Sequence, residues 1–275
     1  MRECSGEKFI LNGDLMDSVN FDSSLIYEGD SIYEVMRMLR RIPVFYPDHM
    51  ERLESSVRFQ GKKMLADKNE LRQSIIKLTR SDREKEANLK IVFNYNSGKH
   101  NYLVYYVDPL YPTGEQYETG VKGILFNAER KDPASKVINH RLRSDIYHKL
   151  ILEGAYEALL VDKRKRITEG SRSNIFFIRE DALYTAPENV ILSGITRKYI
   201  LGICNERGIK VVFECVRAAD ISKYDAVFMT GTSPMVLPFC LIDNRPFNAK
   251  LPVMSELREL FMEKARDSIM LFRSG

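Results

Sequence analysis

Residues 168–174 read TEGSRSN and lead straight into the apolar run Ile175, Phe176, Phe177 and Ile178. Upstream, EALLVD (157–162) is a second run of strand character, and the charged stretch 163–166 turns the chain between the two. This reading puts Glu169 at the entrance to a strand. Gly170, Ser171, Ser173 and Asn174 follow it, small residues that leave room and offer hydroxyl and amide groups. A carboxylate with small polar neighbours at the edge of an apolar sheet needs a reason, and the rest of the chain supplies one.

Working outward, strands and helices mix without strict alternation. KFILNGDLM (8–16) reads as a hairpin turning at Asn12 and Gly13. Residues 32–39 read as a strand, Arg40 and Arg41 as a turn, and 43–46 as a short return strand. Asp48 is placed as a helix N-cap with Glu51 three residues on, and the helix runs to Gly61. A second helix fits 68–80. NLKIVFNYN (88–96) and NYLVYYVD (101–108) are strands joined through SGKH (97–100).

The turn-rich PLYPTGEQY (109–117) marks a linker, with a smaller α+β domain before it (1–108) and a larger domain after it (118–275). The second half opens on the strand GVKGILFNA (120–128). A helix at 144–156 and strands at 157–162, 174–179 and 182–185 come next. A helix over 196–206 stops near Gly208. KVVFECV (210–216), AVFMTG (226–231) and a helix over 254–271 complete it. There are no internal repeats. The fold class expected is α+β with mostly antiparallel pairing.

The bulk numbers restrict function more than they define it. The chain has 275 residues, 44% of them apolar and 29% charged, enough to bury a core in one large domain or two modest ones. Forty-two basic against 38 acidic residues give a net charge of +4, dispersed and without a nucleic-acid reader motif. It is compatible with an anionic small ligand. Cys4, Cys204, Cys215 and Cys240 form no CxxC pair, and reduced thiols are expected. The N-terminal stretch has no signal-type apolar core and no segment is apolar enough to span a bilayer, so a cytoplasmic protein with no membrane partner is expected. Four histidines, at 49, 100, 140 and 148, do not make a metal motif.

GxGxxG, GxxxxGK[ST] and GxSxG are absent. Two loops suit an anion. LSGITRKYI (192–200) puts Gly194 ahead of Ile195 and Thr196 at a helix start, where backbone N–H groups point along the positive end of the dipole. The alternative is an ordinary cap by Ser193 or Thr196. MTGTSPM (229–235) ends an apolar strand on Gly231, Thr232 and Ser233, which suits phosphate oxygens or a simple turn.

HMERL (49–53), Lys136 with Asn139, EGSRSN, LSGIT and TGTS occur in an order that resembles the class IV aminotransferases, the fold-type IV pyridoxal-phosphate enzymes. That group includes branched-chain and D-amino acid aminotransferases and aminodeoxychorismate lyases. The resemblance spans about residues 8–247. It implies a two-domain fold whose larger, cofactor-binding domain has a β-barrel-like core, with pyridoxal 5′-phosphate as cofactor and a homodimer as the assembly.

The resemblance also implies roles. Lys136, in SKVINHR, matches the lysine that joins the cofactor covalently and carries the proton to and from substrate. Its rivals Lys131 and Lys149 lack the asparagine that follows Lys136. Glu169 matches the acid that pairs with the pyridine nitrogen, which gives the opening stretch its purpose. Ser173 and His140 fall among the cofactor contacts. Arg52 matches the phosphate arginine, where a guanidinium fork suits two oxygens. Gly194, Ile195, Thr196, Thr232 and Ser233 match the remaining phosphate contacts. Taken alone, Arg52 reads as a helix-face partner of Asp48.

The substrate side departs from the branched-chain pattern. The strand NLKIVFNY lacks that group's arginine, and His140 or Arg141 stands where a tyrosine is usual. Tyr33 resembles a tyrosine of the D-amino acid enzymes. The SGKH tip then points to Lys99 and His100 for the substrate carboxylate, in a neighbouring subunit; a plain polar hairpin tip fits the same residues. The expected activity is transfer of an amino group between an amino acid and a 2-oxo acid. NLKIV also resembles the lyase segment, so elimination giving 4-aminobenzoate and pyruvate stays open. A non-catalytic cofactor binder is a third reading, against which the lysine argues.

Overall fold

β1 (Lys8–Leu11) and β2 (Asp14–Asp17) form the expected hairpin, with Asn12 at φ 51° and Gly13 at φ 90° in its turn. The computed structural model describes residues 3–82, 87–130 and 132–274. It falls into two compact units, one of Met1–Leu110, Ser135–Ile138 and Ala265–Gly275, the other of Tyr111–Ala134 and Asn139–Lys264. The division differs from the contiguous 118–275 read from sequence. Ser135–Ile138 groups with the first unit because Ile138 N–H donates to Ser31 O and Tyr33 N–H to Lys136 O, so the segment runs antiparallel beside the strand that holds Tyr33.

In the first unit, α1 (Ser24–Tyr27) precedes the long strand β3 (Asp30–Leu39) and the two-residue β4 (Ile42–Pro43). The helices α2 (Tyr46–Phe59) and α3 (Lys68–Ser81) follow, then β5 (Asn88–Asn96) and β6 (Lys99–Val107). The six-stranded sheet has the order β2-β1-β6-β5-β3-β4 and is antiparallel throughout. α2 lies on β3, and α3 on β1 and β6. Phe9, Ile26, Val92, Leu103, Tyr105 and Ile138 form one apolar cluster of this unit.

The start of α2 corrects the sequence reading. Asp48 is not the cap; Phe45 is, in the left-handed region at φ 55°, and Pro47 presets the first turn. The expected strand over 43–46 therefore shrinks to β4. Asp48 sits in the first turn, where its charge favours the helix dipole.

The second unit begins with α4 (Gly114–Thr119), a short helix inside the expected linker, held by a capping box between Thr113 and Gln116. β7 (Val121–Asn127), α5 (His140–Glu153), β8 (Glu157–Val161), β9 (Ile167–Gly170), β10 (Asn174–Arg179) and β11 (Ala182–Thr185) follow. α6 (Ile195–Glu206), β12 (Lys210–Phe213), β13 (Ala226–Gly231), β14 (Met235–Ile242) and β15 (Arg245–Pro246) complete the sheet. α7 (Pro252–Ser274) ends the chain.

The sheet order is β12-β11-β10-β13-β14-β7-β8-β9, with β15 on β14, and the sheet curls so that β9 also approaches β10. Antiparallel pairing prevails in this sheet too, in the pairs β10–β11, β10–β13, β13–β14, β14–β15 and β8–β9, but three pairs depart from it. Here β11–β12, β7–β8 and β7–β14 are parallel. The first two are joined through α6 and α5, since a parallel neighbour requires a crossover. Three other expectations shift. α5 starts at His140, because Asn139 caps it by accepting from Leu142 N–H, and it ends at the left-handed Gly154. β14 was hidden by its internal Pro238. Residues 167–170 form a strand of their own, so Glu169 lies within a strand rather than ahead of one. Among the described residues, no helix is long and apolar enough to cross a membrane.

Candidate active site

Each unit carries its own cluster of buried polar groups. In the first, β3 alternates so that Ile32, Glu34, Met36 and Met38 face one way, buried, and Tyr33 the other. Glu34 is thus a carboxylate on an apolar face, fully buried. α2 answers it with a polar stripe at helical spacing: His49, Arg52, Ser56 and Gln60.

Arg52 donates to Glu34 from Nε at 2.8 Å and from Nη2 at 2.6 Å, a two-pronged contact. His49 Nδ1 lies 2.8 Å from Glu34 Oε2. Burial opposes ionisation of Glu34, but the Arg52 charge and the donors on it outweigh that and hold the carboxyl well below the usual carboxylate range. Burial pushes His49 down, against the pull of Glu34, so the ring is neutral near pH 7 and donates from Nδ1.

The same stripe holds the lysine segment. Lys136 N–H donates to Ser56 Oγ at 3.2 Å, and Gln60 Nε2 to Ser135 Oγ at 2.7 Å. With Tyr33 N–H on its carbonyl, Lys136 is fixed by its backbone on both sides. Its Nζ stands 5.0 Å from the Tyr33 ring centroid. Lys149 is exposed on α5 and paired with Glu153; Lys131 lies outside the described residues. Lys99 and His100 are exposed at the β5–β6 tip. His100 lines a cavity of about 590 Å³ with Lys62, Lys63 and Tyr95.

In the second unit, Glu169 is buried, with Arg130 Nε 2.8 Å from Oε1 and Leu192 N–H donating to Oε2 at 3.3 Å. The Arg130 contact is an ion pair rather than an aligned hydrogen bond. Glu157 shapes the turn that follows. Its carboxylate accepts from Ser171 N–H, Ser171 Oγ, Arg172 N–H and Ser173 Oγ, at 2.5–3.3 Å. A Cβ on Gly170 would fall 2.0 Å from Ser173 Oγ, so any side chain there would have to displace that hydroxyl from its bond to Glu157.

Asn174 Nδ2 donates to Leu192 O, and its Oδ1 would lie 2.1 Å from a Cβ on Gly194. Gly194 opens α6 with no side-chain cap, leaving the first-turn amides of Ile195 and Thr196 facing outward from the helix end. Thr230, opposite Asn174 in the β10–β13 pair, has a buried Oγ1 without a hydrogen-bond partner. Thr232 and Ser233 lie in the turn between β13 and β14. His140 is the exposed first residue of α5.

An uncapped helix start can hold an anion, and Thr230 Oγ1 is a buried hydroxyl without a hydrogen-bond partner in the same unit. The family model for amino-transferase class IV matches residues 31–242. The chain belongs to the class IV aminotransferases. Within this family it is 26% identical to the D-alanine aminotransferase of Bacillus licheniformis, over 89% of this chain and 92% of that one.

In fold, this class IV chain is like the T.th. branched-chain amino acid aminotransferase solved with pyridoxamine 5′-phosphate, at a TM-score of 0.84 and 23% identity over 96% of each chain. It is also like a putative 4-amino-4-deoxychorismate lyase from Legionella pneumophila, at a TM-score of 0.76 and 23% identity over 86% of this chain and 91% of that one.

Sequence reading missed Glu34, Arg130, Glu157 and Thr230. Glu34 had a signal: a lone acid at an inward position of β3, matched by His49 and Arg52 at helical spacing on α2. Arg130 and Glu157 had none, since each acts through residues distant in sequence.

Proposed function

We propose that this chain is a pyridoxal-phosphate-dependent transaminase that moves an amino group between an amino acid and a 2-oxo acid. The observation that carries the reading is Lys136, pinned through its backbone by Ser56 and Tyr33 so that its amine is presented from a fixed base. Bound, the cofactor supplies a carbonyl to take the amino group and a ring to draw electrons from the substrate α-carbon. Lys136 Nζ takes the proton from that carbon and returns it. Glu169, ion-paired with Arg130, would be the acid that meets the pyridine nitrogen and favours a proton there. Glu157 keeps the Ser171–Ser173 turn in shape beside it, and Ser173 borders the ring.

The amides of Ile195 and Thr196, opened by Gly194, take the phosphate with the Thr230 hydroxyl, Thr232 and Ser233; the family resemblance is what assigns Arg52, in the first unit, a phosphate role as well. His140 and Tyr33 border the cofactor and substrate. We read the protein as a cytoplasmic homodimer in which Lys99 and His100 of one protomer serve the substrate carboxylate of its neighbour. The test is a half-reaction screen: the cofactor's spectrum after adding single L- and D-amino acids, then the return on adding a 2-oxo acid.

The lyase reading is kept by the missing arginine on β5 and the lyase-like fold neighbour. It needs no second 2-oxo acid. Pyruvate release from aminodeoxychorismate without an acceptor would favour it.

A further inference from the structure

Lys90 lies in the middle of β5, between β3 and β6, and its side chain is only 5% exposed. A buried ion pair at such a place is no better for stability than packed apolar side chains, so an ammonium there calls for another explanation. Its surroundings form a receptor for a carboxylate. Glu3, from the segment before β1, accepts from Lys90 Nζ and from Tyr105 OH at 2.9 Å through Oε1, and from Tyr27 OH at 2.9 Å through Oε2. One ammonium and two phenols thus converge on one carboxylate.

Burial opposes the charge on Glu3, but Lys90 and the two phenols outweigh it and hold the carboxyl below its usual range. The occupant sits outside its receptor: the Glu3 side chain is 23% exposed against 5% for Lys90. Lys90 Nζ stands 5.5 Å from the Tyr33 ring centroid, the ring that Lys136 Nζ approaches to 5.0 Å. The receptor therefore begins one tyrosine ring away from the proposed catalytic amine.

We infer that Glu3 is a specificity-determining residue: its carboxylate fills the Lys90–Tyr27–Tyr105 receptor and so excludes substrates that bring a second carboxylate, of the glutamate or aspartate type. This rests on the reading of Lys136 as the catalytic lysine. The excluded group would need both the receptor and the desolvation already taken up by Glu3. Like charge from Glu3 also repels it.

The test compares holoenzyme of wild type, Glu3→Gln and the double variant Glu3→Gln/Lys90→Met. The readouts are KM for glutamate and for glutamine, with glutarate binding by calorimetry as a measurement independent of turnover. Glu3→Gln should lower KM for glutamate and the dissociation constant of glutarate about tenfold, with KM for glutamine unchanged. The double variant should lose that gain. Equal shifts for glutamate and glutamine, or unchanged glutarate binding in a folded Glu3→Gln protein, would overturn the inference and leave Glu3 as a neutraliser of Lys90. Should Glu3→Gln not fold, Glu3→Asp, which withdraws the charge by one methylene, should move glutarate binding the same way by less, and no movement would likewise overturn it. Failure of the parent reading looks different: no amino acid would change the cofactor spectrum of the wild type.

Discussion

Arg130 Nε lies 2.8 Å from Glu169 Oε1, in a place where the carboxylate is almost wholly withdrawn from water. A guanidinium beside a buried carboxylate favours its charged form, and a charged acid favours a proton on a pyridine nitrogen. Glu169→Gln keeps size and removes charge. We expect turnover to fall roughly a hundredfold or more, with cofactor affinity nearly unchanged because the phosphate contacts carry it. Near-normal turnover would mean that another acid serves the ring.

Lys136→Ala should cost roughly a thousandfold or more in turnover and leave weak cofactor binding. Borohydride treatment of wild type followed by peptide mapping should place the cofactor on the peptide containing Lys136. A label on Lys131 or Lys149 would undo the assignment.

Arg52 was legible from HMERL and the family order, yet its surroundings were not. Sequence could not show that its fork is engaged by Glu34, because the two lie on different elements and meet only when α2 packs on β3. Likewise TEGSRSN was legible as small polar residues around an acid, but the anion that shapes it, Glu157, belongs to β8. Local features, namely the hairpins, most helices and the lysine's asparagine, could be read. Pairings set by tertiary packing, such as the parallel strands and the Pro238 strand, could not.

Arg52→Ala should weaken the cofactor roughly ten- to hundredfold, the worth of a charge-assisted contact, with turnover at saturation changed less. Titration of the apoprotein by fluorescence checks this. Pyridoxal, without the phosphate, should bind both proteins alike. An equal loss for pyridoxal would place the effect of Arg52 in the fold rather than in phosphate recognition.

The buried trio of Glu34, Arg52 and His49 predicts how stability depends on pH. His49 is depressed in the folded state, so the folded protein binds fewer protons than the unfolded chain once pH falls through about 6.5. Stability should start to drop there. Glu34 is also depressed, so its contribution is complete above the ordinary glutamate range and is lost as pH falls below it. Acid unfolding should therefore proceed in two stages. His49→Asn keeps an N–H donor for Glu34 and cannot titrate, so it should flatten the upper stage alone. Glu34→Gln leaves Arg52 buried beside a neutral amide and should cost about 3–5 kcal/mol at neutral pH, while removing the lower stage. Thermal melts of the apoprotein from about pH 8 to about pH 2 read both effects. A His49→Asn melt profile that keeps the wild-type decline below about pH 6.5 would show that another group is responsible.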